Sequence, residues 1–248
     1  MGQLRFYCPD LQPGTVTLSV EESRHAAVSL RARTGDEVRL VDGRGREGSG
    51  RIAQIQAKRV IIDVQEIVER DFECPLRCTV AVGFGKAHRQ SYLIEKCTEL
   101  GAAAFWPVVT ERSVSRPGAA AIEKWRRRAV EAAKQAGRAW IPTVDQTRTM
   151  MDALRGVPSF DTAVLAHPNP DAPSVLSFFS RLRVGSAVLV FIGPEGGWSE
   201  SELQEAQSAG VNSTSIGSTI LRVETAAVVV CAAAALCRPS PATPASVQ

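Results

Sequence analysis

Two stretches of the 248-residue sequence combine residue types that could do chemistry. The first is GPEGGW (193–198), which begins where the apolar run SAVLVFIG (186–193) ends. Gly193, Gly196 and Gly197 let the backbone approach a ligand closely or adopt dihedrals closed to other residues, and Pro194 stiffens the connection. A plain Gly-rich turn is the alternative. The second is IGSTILRVETAA (216–227), where Arg222 and Glu224 stand at the entry to a nearly all-apolar segment. Glu224 and Thr225 have a sufficient structural role as helix caps that complement the dipole. A guanidinium has no such role at a helix start, so Arg222 is the stronger functional candidate. GFGK (83–86) resembles a dinucleotide fingerprint, but its third glycine would fall on His88, and the sequence contains neither GxGxxG nor a Walker A run.

Metal, membrane and secretory classes find little support. The six cysteines (8, 74, 78, 97, 231 and 237) include no CxxC pair, and only three histidines are present, so no metal is expected. MGQLRFYCPDL lacks an apolar core segment, which predicts no secretory signal, a cytoplasmic setting and reduced thiols, several of them buried. The longest apolar run, residues 226–237, is too short and too alanine-rich for a bilayer and predicts a buried helix in a protein without a membrane partner. Net charge is +3, but residues 24–59 hold nine Lys/Arg against four Asp/Glu, and residues 123–138 hold six against two. Two basic clusters in a near-neutral chain fit contact with a polyanion, with solvated element faces as the alternative.

The elements that must position these residues fall into two styles. Residues 38–41, 52–55 and 60–68 read as short strands, DGRGREGSG (42–50) as a hairpin loop, and a helical turn near Glu21 has Ser19 as N-cap. After a linker at FECP (72–75), apolar strands alternate with helices. Strands are expected at 78–84, 104–109, 162–168, 186–193 and 214–217; helices at 88–100, 119–137, 200–209 and 224–236. This alternation predicts a mostly parallel sheet covered on both faces, beside a small β domain. Ser199 and Glu202 form a capping-box pattern after the glycine loop.

Taken together, HAAVSLR (25–31), GKAHRQSYLIEKCTELG (85–101), PVVTERS (107–113), AKQAGR (133–138), GPEGGW and ILRVET (220–225) resemble the RsmE-type family. These are ribosomal RNA small-subunit methyltransferases of the SPOUT class that modify a uridine at N3. The resemblance implies an α/β protein with a PUA-like β-barrel for RNA binding at 1–72, a trefoil-knotted SPOUT domain with a mainly parallel sheet at 73–238, and a disordered tail at 239–248. It implies S-adenosylmethionine as donor, a homodimer, and 16S ribosomal RNA in the small subunit as partner. Carried over by position, the donor pocket would comprise Leu165, Ala166 and His167; Ile192, Gly193, Glu195, Gly196 and Gly197; and Ile216, Gly217, Leu221 and Thr225. Arg222 and Glu224 would be catalytic. The sequence departs from the family's pattern at Thr219, Val223, Lys134 and Ser91, where the family commonly carries a basic residue, Thr, Glu and a nearby carboxylate.

Methylation at N3 needs a base or a group that stabilises the imidate anion, because this N–H is mostly protonated at neutral pH. Arg222 suits the second task and Glu224 or Glu195 the first. N3 lies on the Watson–Crick edge, so the target is single-stranded or flipped. Arg24, Arg31, Arg33, Arg44, Arg46 and Arg138 are the expected RNA contacts, Arg126 to Arg128 are surface or phosphate contacts, and Lys96 pairs with Glu99. A SPOUT enzyme acting on another RNA, and a catalytically silent RNA-binding homologue, are the competing readings.

Overall fold

The computed structural model describes residues 4–56, 59–83, 87–169 and 171–237; the expected tail at 239–248 and most of GFGK lie outside them. Two units emerge. The first contains β1 (Leu4–Tyr7), β2 (Gly14–Thr17), α1 (Val20–Arg24), a π-helical turn at His25–Ser29, β3 (Glu37–Val41), β4 (Arg46–Gln56) and β5 (Arg59–Glu69). Its sheet runs β1-β3-β4-β5-β2, with β1 parallel to β3 and the remaining pairs antiparallel. Period-two alternation sends Phe6, Val38, Leu40, Ile52, Val60, Ile62 and Val64 into one core. Ser19 caps α1 through the Glu22 amide, as expected.

The hairpin expected at 42–50 is shorter. Residues 46–50 already belong to β4, paired with β3 and β5, and the turn occupies 42–45. Asp42 accepts the amides of Arg44 and Arg46, and Gly43 and Gly45 take positive φ, so four residues close what composition spread over nine.

The second unit contains β6 (Arg77–Gly83), α2 (Ala87–Glu99), β7 (Ala104–Val109), α3 (Ala119–Gln135), β8 (Thr143–Val144), β9 (Arg148–Thr149), α4 (Met150–Arg155), a 3-10 turn (Val157–Ser159), β10 (Thr162–Ala166), α5 (Val175–Phe179), β11 (Ala187–Ile192), α6 (Glu200–Ser208), β12 (Asn212–Thr214) and α7 (Val223–Leu236). The sheet order is β12-β10-β11-β6-β7-β8, with β9 also on β7, and every pairing is parallel. Alternate side chains divide between two cores. Val80, Val82, Val164, Val188 and Val190 join α2, α3, α5 and α7, whereas Ala81, Ala163, Leu165, Leu189 and Phe191 join α4 and α6. Burial on both faces accounts for the continuous apolar strands. The strand expected at 214–217 lies at Asn212–Thr214 instead, since pairing with Val164 to Ala166 fixes its register and leaves Ser215 onward as loop. Among the described residues no helix is long and apolar enough to cross a membrane.

By its contacts, Val130–Ile141, containing the end of α3, groups with the first unit. The reason is polar and local: Glu73 accepts the amides of Ala139 and Trp140 and pairs with Arg138, while Lys134 pairs with Glu22 at 2.6 Å.

Candidate functional site

Parallel strands carry their C-terminal ends to one edge of a sheet, where α/β proteins bind ligands. Three neighbouring strands do this here. β10 ends at Ala166, β11 at Ile192 and β12 at Thr214, and the loops beginning at His167, Gly193 and Ser215 leave from that edge. The three stretches expected to form the donor pocket therefore share one rim, although Leu165 and Ile192 direct their side chains into the cores.

The glycine loop is closely fixed. The Gly197 amide donates to the Pro194 carbonyl at 2.9 Å, closing a turn in which Gly197 takes φ +70°. The Trp198 indole N–H donates to the Ala166 carbonyl at 3.1 Å, tying the loop to the end of β10. A Cβ on Gly193 would stand 3.0 Å from that indole, so glycine is what admits the ring. Ser199 and Glu202 form the expected capping box at α6. Glu195 and Gly196 are exposed.

The loop of residues 215–222 is open by contrast. Gly217 takes φ +142° with nothing within 4 Å of a would-be Cβ, and Ile220 is 90% exposed. Ile216 and Leu221 lie half-buried against the core beneath. Arg222 occupies the N-cap position of α7 in extended conformation, makes no side-chain cap and is exposed. Glu224 sits in the first turn of α7, where its charge complements the dipole, and its carboxylate is 3.3 Å from the Arg89 guanidinium. Thr225 is exposed beside it.

Arg89 was not singled out from the sequence. Its position in the first turn of α2, where a cation opposes the helix dipole, was the available signal that it answers to a partner. Trp198 was likewise read only as part of the glycine motif. His167 contributes its backbone amide to the Thr214 carbonyl.

The expected RNA contacts divide. Arg24, Arg31, Arg33 and Arg44 are exposed on the first unit. Arg46 is half-buried and gives one guanidinium N–H to the Leu11 carbonyl at 3.1 Å. Arg138 corrects the expectation: it is 4% exposed, pairs with Glu73 at 3.2 Å and lies over the Phe72 ring, so its charge is committed inside the first unit. Lys134, the departure in the same run, is also buried, between Glu22 and Glu131. Burial pushes Glu22 up against the pull of Lys134, while Lys134 is raised because its two carboxylates outweigh its own burial. In the second unit Arg126 bonds the Val144 carbonyl and Glu123, Arg128 pairs with Glu95, Arg127 is exposed, and Lys96 meets Glu99 at 2.7 Å as expected.

Hydrogen bonding to Cys231, then burial, pushes the buried Cys78 thiol well up; the bond with Cys78 lowers Cys231, but its own bond to Cys97 and burial outweigh that and raise it. Among the described residues no group of three or more His, Cys, Asp or Glu could hold a metal ion.

Comparison with known proteins matches residues 72–235 to the RNA methyltransferase domain family and residues 18–65 to the RNA methyltransferase PUA domain. The chain is 32% identical over 216 residues to a ribosomal RNA small subunit methyltransferase E from Synechocystis, covering 87% of this chain and 71% of that one. It is 33% identical over 241 residues to the Mycobacterium bovis protein of the same name, covering 92% and 90%. The crystal structure of such a methyltransferase from Neisseria gonorrhoeae bound to S-adenosylmethionine superposes with a TM-score of 0.85 at 31% identity, covering 94% of this chain and 96% of that one.

Proposed function

Because the chain belongs to the ribosomal RNA small subunit methyltransferase E family, we propose that it transfers a methyl group from S-adenosylmethionine to N3 of a uridine in 16S ribosomal RNA. The observation that carries this reading is the shared rim of three loops, with open main chain at Gly197 and Gly217 and an exposed arginine at Arg222. A flat, partly charged cofactor fits such a rim: glycine backbone without a covering Cβ on two sides, and apolar surface at Ile216, Ile220 and Leu221. When bound, the donor supplies a methyl carbon already activated by its sulfonium.

Ala166, His167, Gly193, Gly196, Gly197 and Gly217 offer main chain to it, Ile216 and Leu221 shape its apolar wall, Leu165 and Ile192 hold the strand ends from within the two cores, and Glu195 and Thr225 stand at the rim. Arg222 donates hydrogen bonds to the uridine carbonyls as negative charge grows on the imide. Glu224, shared with Arg89, keeps the start of α7 and hence Arg222 in place, and Glu195, exposed on the glycine loop, accepts the N3 proton. Arg24, Arg31, Arg33 and Arg44 contact RNA phosphates. The reading includes a trefoil knot through the 215–222 loop, a homodimer and a cytoplasmic setting.

The test is methyl transfer from labelled donor to small ribosomal subunits that lack the modification, with the product nucleoside identified by mass spectrometry. N3-methyluridine is expected. Label on transfer RNA alone would favour a related enzyme with another substrate, and donor binding without transfer to any RNA would favour a silent homologue.

A further inference from the structure

The PVVTERS run is left without a task by the reading above. β7 and β11 flank β6, and the turn after β7 reaches the glycine loop that follows β11. The turn is itself firm: the Ser113 amide donates to the Thr110 carbonyl at 3.2 Å, and the Thr110 amide donates to the Ser113 hydroxyl at 2.9 Å. The Glu111 amide donates to one carboxylate oxygen of buried Glu202 at 2.8 Å, while the other oxygen accepts the Ser199 amide at 2.9 Å. One carboxylate thus joins the turn to the end of the glycine loop. Beyond this joint, Arg112 lays its stem across Gly196, whose would-be Cβ stands 3.0 Å from the Arg112 Cβ, and donates to the Gly196 carbonyl at 3.1 Å.

Neither Gly196 nor Gly197 has a Cβ to limit rotation of the peptide between them, so hydrogen bonds set its plane. Its N–H donates to the Pro194 carbonyl within the loop, and its carbonyl accepts from Arg112, which reaches it from the turn after β7. We propose that Arg112 is a positioning residue for methyl transfer: it sets the orientation of the Gly196–Gly197 peptide against which the methyl donor lies. The proposal rests on the functional reading above. Arg112 is exposed, so its bond adds little to global stability and acts on the local geometry of the loop.

The experiment measures the affinity of the full-length protein for S-adenosylmethionine by calorimetry, and amide exchange at residues 195–198 in the free protein. It compares wild type with Arg112→Ala, Arg112→Lys and, as a surface control, Arg155→Ala. Arg112→Ala should weaken donor binding about tenfold, the effect of one charge-assisted hydrogen bond, and speed exchange. Lysine, which keeps one donor, should restore affinity to within roughly threefold of wild type, and Arg155→Ala should change neither readout. RNA affinity and its salt dependence should be unchanged in Arg112→Ala. Unaltered donor affinity and exchange in Arg112→Ala overturn the proposal. So does a loss confined to RNA affinity with a shallower salt slope, which would make Arg112 a phosphate contact. A wild type that binds no donor defeats the functional reading instead, and the exchange comparison then decides alone whether Arg112 holds the loop.

Discussion

The loops at residues 193–199 and 215–222 leave strands on either side of β10, yet they are built in opposite ways. The first is tied to β10 by an indole, to the turn after β7 by Arg112, and to its own helix by a capping box. The second has no hydrogen bond at Ser218 to Leu221 among the described residues and presents Ile220 to solvent. A ligand held between them meets one wall already in place, and loses ordering entropy only on the other. Preorganisation and adaptability are thus divided between two loops rather than blended in each.

Four substitutions test that division, from the largest expected effect downward. Arg222→Ala should lower kcat about 10²–10³-fold in the methyl-transfer assay while the thermal midpoint stays put, because an exposed side chain is lost from the open loop. A midpoint that falls with activity would mean that Arg222 braces the fold. Trp198→Ala should destabilise the protein by about 3 kcal/mol in denaturant unfolding and weaken donor binding with it, since the pinned wall loses its tether. Glu224→Gln should cut kcat by roughly tenfold with a smaller change in donor affinity, as the Arg89 pair loosens the seat of Arg222; equal losses in both would place Glu224 on the donor. Ile220→Ser should leave stability within about 0.5 kcal/mol and reduce donor affinity a few-fold through lost apolar contact. If Ile220→Ser destabilises as much as Trp198→Ala, the contrast between the loops collapses.

The second unit was more legible in the sequence than the first because its signals are local. Continuous apolar runs marked β6, β10 and β11, and Ser199 with Glu202 marked the start of α6. What escaped depends on partners far along the chain. β8 and β9 are two residues each and exist because β7 offers them an edge, while β12 is set in register by β10 rather than by its own composition. Charge type says nothing about burial. Arg44 and Arg138 look alike as basic residues beside glycine, but Glu73 draws only the second into the interior. The glycine motif and Arg222 were readable as chemistry; Arg89 and the turn that holds Gly196 were not, since their meaning lies in contacts with Glu224 and the glycine loop.

The strand order also constrains how the chain is made. β6 is complete at Gly83, but its neighbour β11 is not complete until Ile192. On a ribosome adding roughly 5–20 residues per second, one apolar edge of β6 stays open for about 5–20 s after its own synthesis. The first unit has its sheet and core complete by Glu69, so it is the second whose strand edge waits for the rest of the chain.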